Sequence, residues 1–307
     1  MVTTPAITDA LMSPNYANVA FNVTQRRNSP YMDYPRHVHF ETFTQCPAAC
    51  NFCPYSTLER QGERMSDALI EKIISDLTDI PKHVSFQLSP FKVNEPFLDT
   101  RLFDILERVN EQLPNANITL TSNAAPITRT VLEKLSKIKN IEGLWISFND
   151  HRPEEYEETM KLPWARTEER LGVIHEWLSD GRLKFPVNVS RVGDRSTADS
   201  EYIQYVDLNY PLFKPAIFQR GGWLGQVDGL DPNIVVPNTP CGRWFELSII
   251  SSGQVAHCCM DGRCEWPVGD VNHQHVLDVY NHPDYRKLRE LTTSRRDVEP
   301  CNTCTFL

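Results

Sequence analysis

Between Cys53 and Cys241 the chain has no cysteine, a gap of 187 positions in 307 residues that hold nine of them. Core thiols without a chemical role would scatter. These fall into two groups, Cys46, Cys50 and Cys53 at the front, and Cys241, Cys258, Cys259, Cys264, Cys301 and Cys304 in the last 67 residues. A run of Lys and Arg is also missing, and the net charge is -9. An acidic chain without a basic patch excludes nucleic acid as a partner, because phosphates are held by clustered cations. No apolar stretch approaches the ~20 residues of a membrane-spanning helix. The opening MVTTPAITDALMSPNYANVA has no positive segment followed by an apolar one, so no signal peptide is expected and the chain reads as cytoplasmic. There, clustered thiols favour metal or redox chemistry over disulfides.

What is present suffices for a large core. Hydrophobic residues make up 40% and charged residues 23%, and the length allows one large barrel or two domains. The middle alternates strand and helix patterns. Strands are expected at 37–44, 84–89, 117–122, 143–148, 185–190 and 214–219. Between them, Leu69, Ile70, Ile73, Ile74 and Leu77 share a helical face behind a Ser66 cap. Leu102, Phe103, Leu106, Val109 and Leu113 form a second stripe, and further helices are expected over 128–138, 164–178 and, more weakly, 199–208. Six such units predict an α/β fold, a partial (β/α)6 barrel with a parallel sheet inside its helices. Residues 221–239, rich in Gly, Pro, Asn and Asp, read as a linker. Residues 240–307 read as a small α+β domain with a hairpin turning at Gly253. That tail is too short for a large core of its own, and small domains often rely on a metal staple. Residues 1–36 form an extension without clear periodicity.

The front triplet, CPAACNFC, supplies three thiolates, one fewer than an iron–sulfur cube takes. One iron would stay open to a small molecule. Zinc fits poorly, because no fourth ligand lies at zinc spacing. This loop directly after the first of six β/α units resembles the radical S-adenosylmethionine (SAM) superfamily over residues 37–220. The resemblance implies that Cys46, Cys50 and Cys53 hold a 4Fe–4S cluster whose open iron chelates SAM. An electron from the cluster then yields a 5′-deoxyadenosyl radical that removes hydrogen from a C–H bond, while the protein positions the partners. It further implies that Phe52 packs near adenine. KVNEPFLD is similar to the segment that supports the SAM amino group, which points to Glu95, although Val93 and Asn94 replace its glycines and imply a different local backbone. TLTSNA and WISFND are similar to two further segments, making Ser122, Asn123 and Ser147 candidates for ribose or methionine contacts. Arg191, ending the fifth strand, is the candidate for the SAM carboxylate.

The tail, with CCMDG after the hairpin and a closing CNTC, resembles the SPASM/twitch extension of such enzymes. The resemblance implies one auxiliary 4Fe–4S cluster on Cys241, Cys301, Cys304 and one of Cys258 and Cys259. Neighbours on a strand point to opposite faces, so only one of that pair should serve. Cys264 is left over, as a bystander or as a ligand of a second, incomplete cluster. A zinc ribbon would also accept four thiolates. An auxiliary cluster suits net oxidation, since an electron must leave, or its delivery in an epimerisation. The leading expectation is therefore a radical SAM oxidoreductase acting on a small polar metabolite, of sugar or aminocyclitol type, and fed by flavodoxin or ferredoxin. A peptide-modifying maturase ranks behind it, because about 36 residues before the first strand are too few for a peptide-binding domain. A radical epimerase ranks third, and a non-catalytic iron–sulfur or zinc protein would be of another class altogether. Gln87, Asn149, Gln219, Arg220 and Trp223 are the candidate substrate contacts, with Trp223 also a candidate packing anchor between the domains.

Overall fold

The computed structural model describes residues 16–229 and 234–306. Residues 1–15 of the expected extension, 230–233 of the expected linker and Leu307 lie outside the described residues. Six parallel strands form the barrel wall: β1 (His37–Phe40), β2 (Phe86–Ser89), β3 (Ala116–Ser122), β4 (Ile141–Ser147), β5 (Val187–Gly193) and β6 (Lys214–Gln219). Each position matches its expected strand, but β1 stops at Phe40, and Glu41 to Thr44 turn inward as a buried polar segment. Along β3 the pattern alternates. Ala116, Ile118 and Leu120 are buried against helices, while Asn117, Thr119 and Thr121 face the inside of the curve half-buried.

The helices follow from their stripes. On α2 (Asp67–Leu77), Ser66 caps the Leu69 amide at 3.2 Å and five side chains, Leu69, Ile70, Ile73, Ile74 and Leu77, are buried. Fully buried, each is worth roughly 2 kcal/mol of transfer free energy. Next come α3 (Leu102–Gln112), α4 (Arg129–Leu135), α5 (Pro153–Met160), α6 (Trp164–Ser179) and α7 (Thr197–Asn209). The short α5, opened by a proline at its first turn, has no counterpart among the expected helices.

The tail does not build a core of its own. β7 (Glu246–Ile249) pairs in parallel with β1, and β8 (Gln254–Ala256) and β9 (Pro267–Asp270) continue antiparallel, giving one nine-stranded sheet among the described residues. Leu247, Ile249, Val255 and Val271, with Val276, Val279, Tyr280 and Tyr285 from α8 (Val276–Tyr280) and α9 (Pro283–Leu291), join the barrel's apolar cluster. Gly253 turns the hairpin with φ 93°, and a Cβ there would fall 2.3 Å from Asn272.

The extension is helical in its described part, α1 (Tyr16–Arg27). It lies on the tail: Arg26 donates to the Gly242 carbonyl at 3.1 Å, Arg27 to the Arg289 carbonyl at 2.6 Å, and Val23 packs with Trp244, Phe245 and Cys301.

Candidate active site and metal centres

The cysteine loop is braced from several sides. Glu41, fully buried, accepts from the Val93 amide at 3.0 Å, from Thr44 Oγ1 at 3.0 Å and from Arg60 at 2.9 and 3.0 Å. This knot ties the loop's start to the segment after β2. From α5, the Met160 and Thr159 carbonyls accept from the Ala49 and Asn51 amides at 3.2 and 3.1 Å. Beyond β6, Arg220 donates to the Asn51 carbonyl at 2.6 Å and Trp223 Nε1 to the Phe52 carbonyl at 2.9 Å. Cys46, Cys50 and Cys53 are left half-buried together. Burial pushes the Cys46 thiol up to about 12 and that of Cys53 to about 11. It drives Cys50 well above the usual range, with Cys53 and Cys46 adding to it. Such thiols ionise when a metal replaces the proton, so three thiols in one braced loop fit a cluster ligand set.

Beside them lies a carboxylate knot. Glu95 accepts from the Asn123 amide at 2.7 Å, from Ser122 Oγ at 2.9 and 3.0 Å and from the Phe97 amide at 3.3 Å, while Asn123 Nδ2 stands 3.5 Å from Cys46 Sγ. Burial outweighs those donors and pushes the Glu95 carboxyl up to about 7. Neither Val93 nor Asn94 is among the residues with positive φ, so the loop delivers Glu95 without glycines.

A cavity of about 500 Å³ opens at the ends of β4 to β6, lined among others by Phe52, Asn149, Asp150, Arg191, Gln219 and Arg220. Five expected residues therefore share it, but three have committed partners. Arg220 donates to the Asn51 and Asp228 carbonyls. Arg191 donates to Asp199 at 2.8 Å, to Asp194 at 3.1 Å, to the Asn149 carbonyl at 2.7 Å and to Asp150. Its fork is used up by three carboxylates, against the expected role toward the SAM carboxylate. Asn149 is locked by donating to Ser147 Oγ at 2.6 Å and accepting from the Val192 amide at 2.9 Å. Ser147 thus serves as a partner of Asn149. Gln87 is misplaced by expectation: it pairs with His37 at the start of β1, between Arg36 at 3.2 Å and Glu142 at 2.8 Å, far down the strands from the cysteine loop. Trp223 is a packing anchor, bonded to the cysteine loop and set against Tyr55, Leu58 and Val93.

In the tail, Cys241, Cys258, Cys301 and Cys304 line one cavity of about 230 Å³, with Arg26, Arg36, Arg243 and Arg295 around it. Cys259 and Cys264 are absent from its lining. Two ring nitrogens approach Cys301 Sγ, His257 Nε2 at 3.2 Å and Trp244 Nε1 at 3.5 Å. Burial pushes Cys301 up to about 12 and Cys258 well above its ordinary value. Four thiols, donors to sulfur and surrounding guanidiniums fit an anionic cluster. Between the two groups lie residues that the sequence reading did not single out. Lys92 is buried and donates to the Asp261 carbonyl of the tail, and His39 meets Glu246 across the β1–β7 pair at 3.4 Å. Lys92 stands three positions before Glu95, the one hint available in sequence.

The chain matches the family model of the radical SAM superfamily over residues 40–189 and that of the SPASM iron–sulfur cluster-binding domain over 241–305. Together these span more than two-thirds of its length. The chain belongs to the radical SAM superfamily and carries a C-terminal SPASM domain. The first domain implies a 4Fe–4S cluster and SAM, and the second implies auxiliary iron–sulfur clusters. A curated relative, the S-adenosyl-L-methionine-dependent 2-deoxy-scyllo-inosamine dehydrogenase of Niallia circulans, is 20% identical over 274 residues, 87% of this chain and 91% of the relative. Among solved structures, BtrN in complex with AdoMet and 2-DOIA superposes with TM-score 0.59 at 16% identity, covering 88% of this chain and 92% of BtrN. Streptococcus suis SuiB bound to precursor peptide SuiA gives 0.64 at 14%, covering 99% and 76%. Likeness at such identities fixes the fold. No helix among the described residues is long and apolar enough to cross a membrane.

Proposed function

We propose that this chain is a radical SAM dehydrogenase that oxidises a secondary alcohol on a small hydroxyl-rich metabolite of the sugar or aminocyclitol kind. The observation that carries the reading is the four-cysteine cavity joined to the barrel wall through β7. A second iron site against the barrel is what a net oxidation needs to dispose of an electron. The activity of the curated relative, a dehydrogenase of 2-deoxy-scyllo-inosamine, agrees with it. In this reading Cys46, Cys50 and Cys53 hold the first cluster, and Cys241, Cys258, Cys301 and Cys304 the auxiliary one. When bound, these groups supply a hydrogen-abstracting radical and an acceptor for one electron. Glu95 receives the SAM amino group, held in place by Ser122 and the Asn123 amide. Phe52 lies against adenine, and Gln219 and Arg220 border the same cavity. Flavodoxin or ferredoxin supplies the electron that starts each turnover.

The test uses anaerobically reconstituted protein and 2-deoxy-scyllo-inosamine deuterated at its carbinol carbons. Deuterium in 5′-deoxyadenosine together with a ketone product is expected. Deuterium transfer with an epimer instead of a ketone would rule out oxidation. Transfer from peptides, but from no polyol, would move the chain to the maturases.

A further inference from the structure

We propose that His39, held by Glu246, is the base that takes the hydroxyl proton of the substrate as the ketone forms, an assignment that rests on the dehydrogenase reading. Removal of a hydrogen atom from the carbinol carbon leaves a radical that still carries O–H. To become a ketone it must lose one proton and one electron. The O–H bond breaks, the C=O π bond forms, the proton goes to Nδ1 of His39, and the electron goes to the oxidised iron–sulfur cluster on the tail cysteines.

Position and hydrogen bonding both single out His39. It is the penultimate residue of β1, the strand from which the cysteine loop departs, and Glu246 lines the cavity of the tail cysteines. His39 is therefore placed between the two sulfur groups. Its Nε2 lies 3.4 Å from Glu246 Oε2, so a proton on that nitrogen faces the carboxylate and the tautomer that puts it there has its lone pair on Nδ1. His39 is 5% exposed, and its Nδ1 has no hydrogen-bond partner among the described residues. A buried acceptor left alone is costly unless another molecule supplies the donor. A substrate hydroxyl has that donor.

The surrounding charges suit the role. Burial opposes the charge on Glu246, but Arg243 at 3.1 Å and the His39 hydrogen bond hold it well below the usual carboxylate range, and Arg36 bonds the same carboxylate at 2.6 Å. Burial lowers His39, with Glu246 opposing and Arg243 and Lys92 adding to the fall, so the ring is neutral and ready to accept. The His37 ring stands 3.8 Å away and bonds Ser89 Oγ at 2.7 Å. Ligand atoms of His37, His39 and Glu246 lie within 4.8 Å of one another. Two guanidiniums on the same carboxylate oppose a metal ion there and leave proton transfer as the use of the cluster.

Two measurements on the anaerobic holoenzyme decide the assignment. Histidine C2–H exchange followed by mass spectrometry reads each imidazole without any substrate. A midpoint for His39 below the ordinary ~6.5 is expected, and one above about 7 would overturn the proposal. The second uses His39→Gln with deuterated 2-deoxy-scyllo-inosamine. Deuterium transfer into 5′-deoxyadenosine should stay within about twofold, showing an intact fold, while ketone formation falls roughly a hundredfold or more. Ketone at the wild-type rate would overturn the proposal. If the wild-type chain draws no deuterium from this probe, the substrate reading fails, and the exchange midpoint alone decides on His39.

Discussion

The two sulfur sites differ in how they are closed. The front site has three half-buried thiols, and its remaining side is formed by Glu95, Ser122 and Asn123, groups suited to a charged small molecule. The tail site has four thiols around one cavity, ringed by guanidiniums and covered by α1. A full set of sulfurs leaves the metal nothing to bind beyond the protein, so the tail site suits storage of charge. The unfilled set admits a reagent. The same element, handled with three or with four ligands, separates chemistry from electron handling.

Breaking the comparison at the front has the largest expected effect. Replacing Cys46, Cys50 and Cys53 with alanine should abolish 5′-deoxyadenosine formation and lower bound iron from roughly eight to roughly four per chain, read by iron analysis. Breaking it at the tail sorts the adjacent pair. Cys258→Ala should lose the tail iron, falling to roughly four, whereas Cys259→Ala should keep roughly eight. Equal losses would show that the cavity lining misidentifies the ligand. A third change sharpens the front site. Glu95→Gln should weaken SAM binding by about ten- to a hundredfold, the worth of a charged hydrogen bond. Because the Glu95 carboxyl is pushed up to about 7, it is protonated below that pH and ionised above it. SAM affinity measured by calorimetry should therefore rise through neutral pH, and that rise should shrink in Glu95→Gln. The smallest effect concerns the cover. Arg26→Ala removes the bond to the Gly242 carbonyl and should speed chelator extraction of tail iron several-fold, with front iron unaffected.

What was legible in the sequence was local. The cysteine triplet, Glu95 and the Ser122–Asn123 pair sit in short segments at strand ends, and strand alternation fixed those ends. Arg191 and Gln87 were misread because their partners come from elsewhere: three aspartates claim the one, and Arg36 with Glu142 the other. Which of Cys258 and Cys259 lines the tail cavity showed only in the fold of the hairpin. The His39–Glu246 pair could not be read at all, since 207 positions separate its members and only the parallel pairing of β1 with β7 joins them. The cover over the tail was equally hidden, because the surface of α1 gains its meaning from Trp244 and Phe245.

That pairing has a consequence for how the molecule is made. β1 is the earliest strand of the sheet to leave the ribosome, yet it sits inside the finished sheet with β2 on one side and β7 on the other. Until Glu246 to Ile249 emerge, one edge of β1 stays open, with its amides and carbonyls unpaired. A ribosome stalled before β7 would present an unpaired strand edge a few residues before the cysteine loop, and pairing with β7 closes that edge.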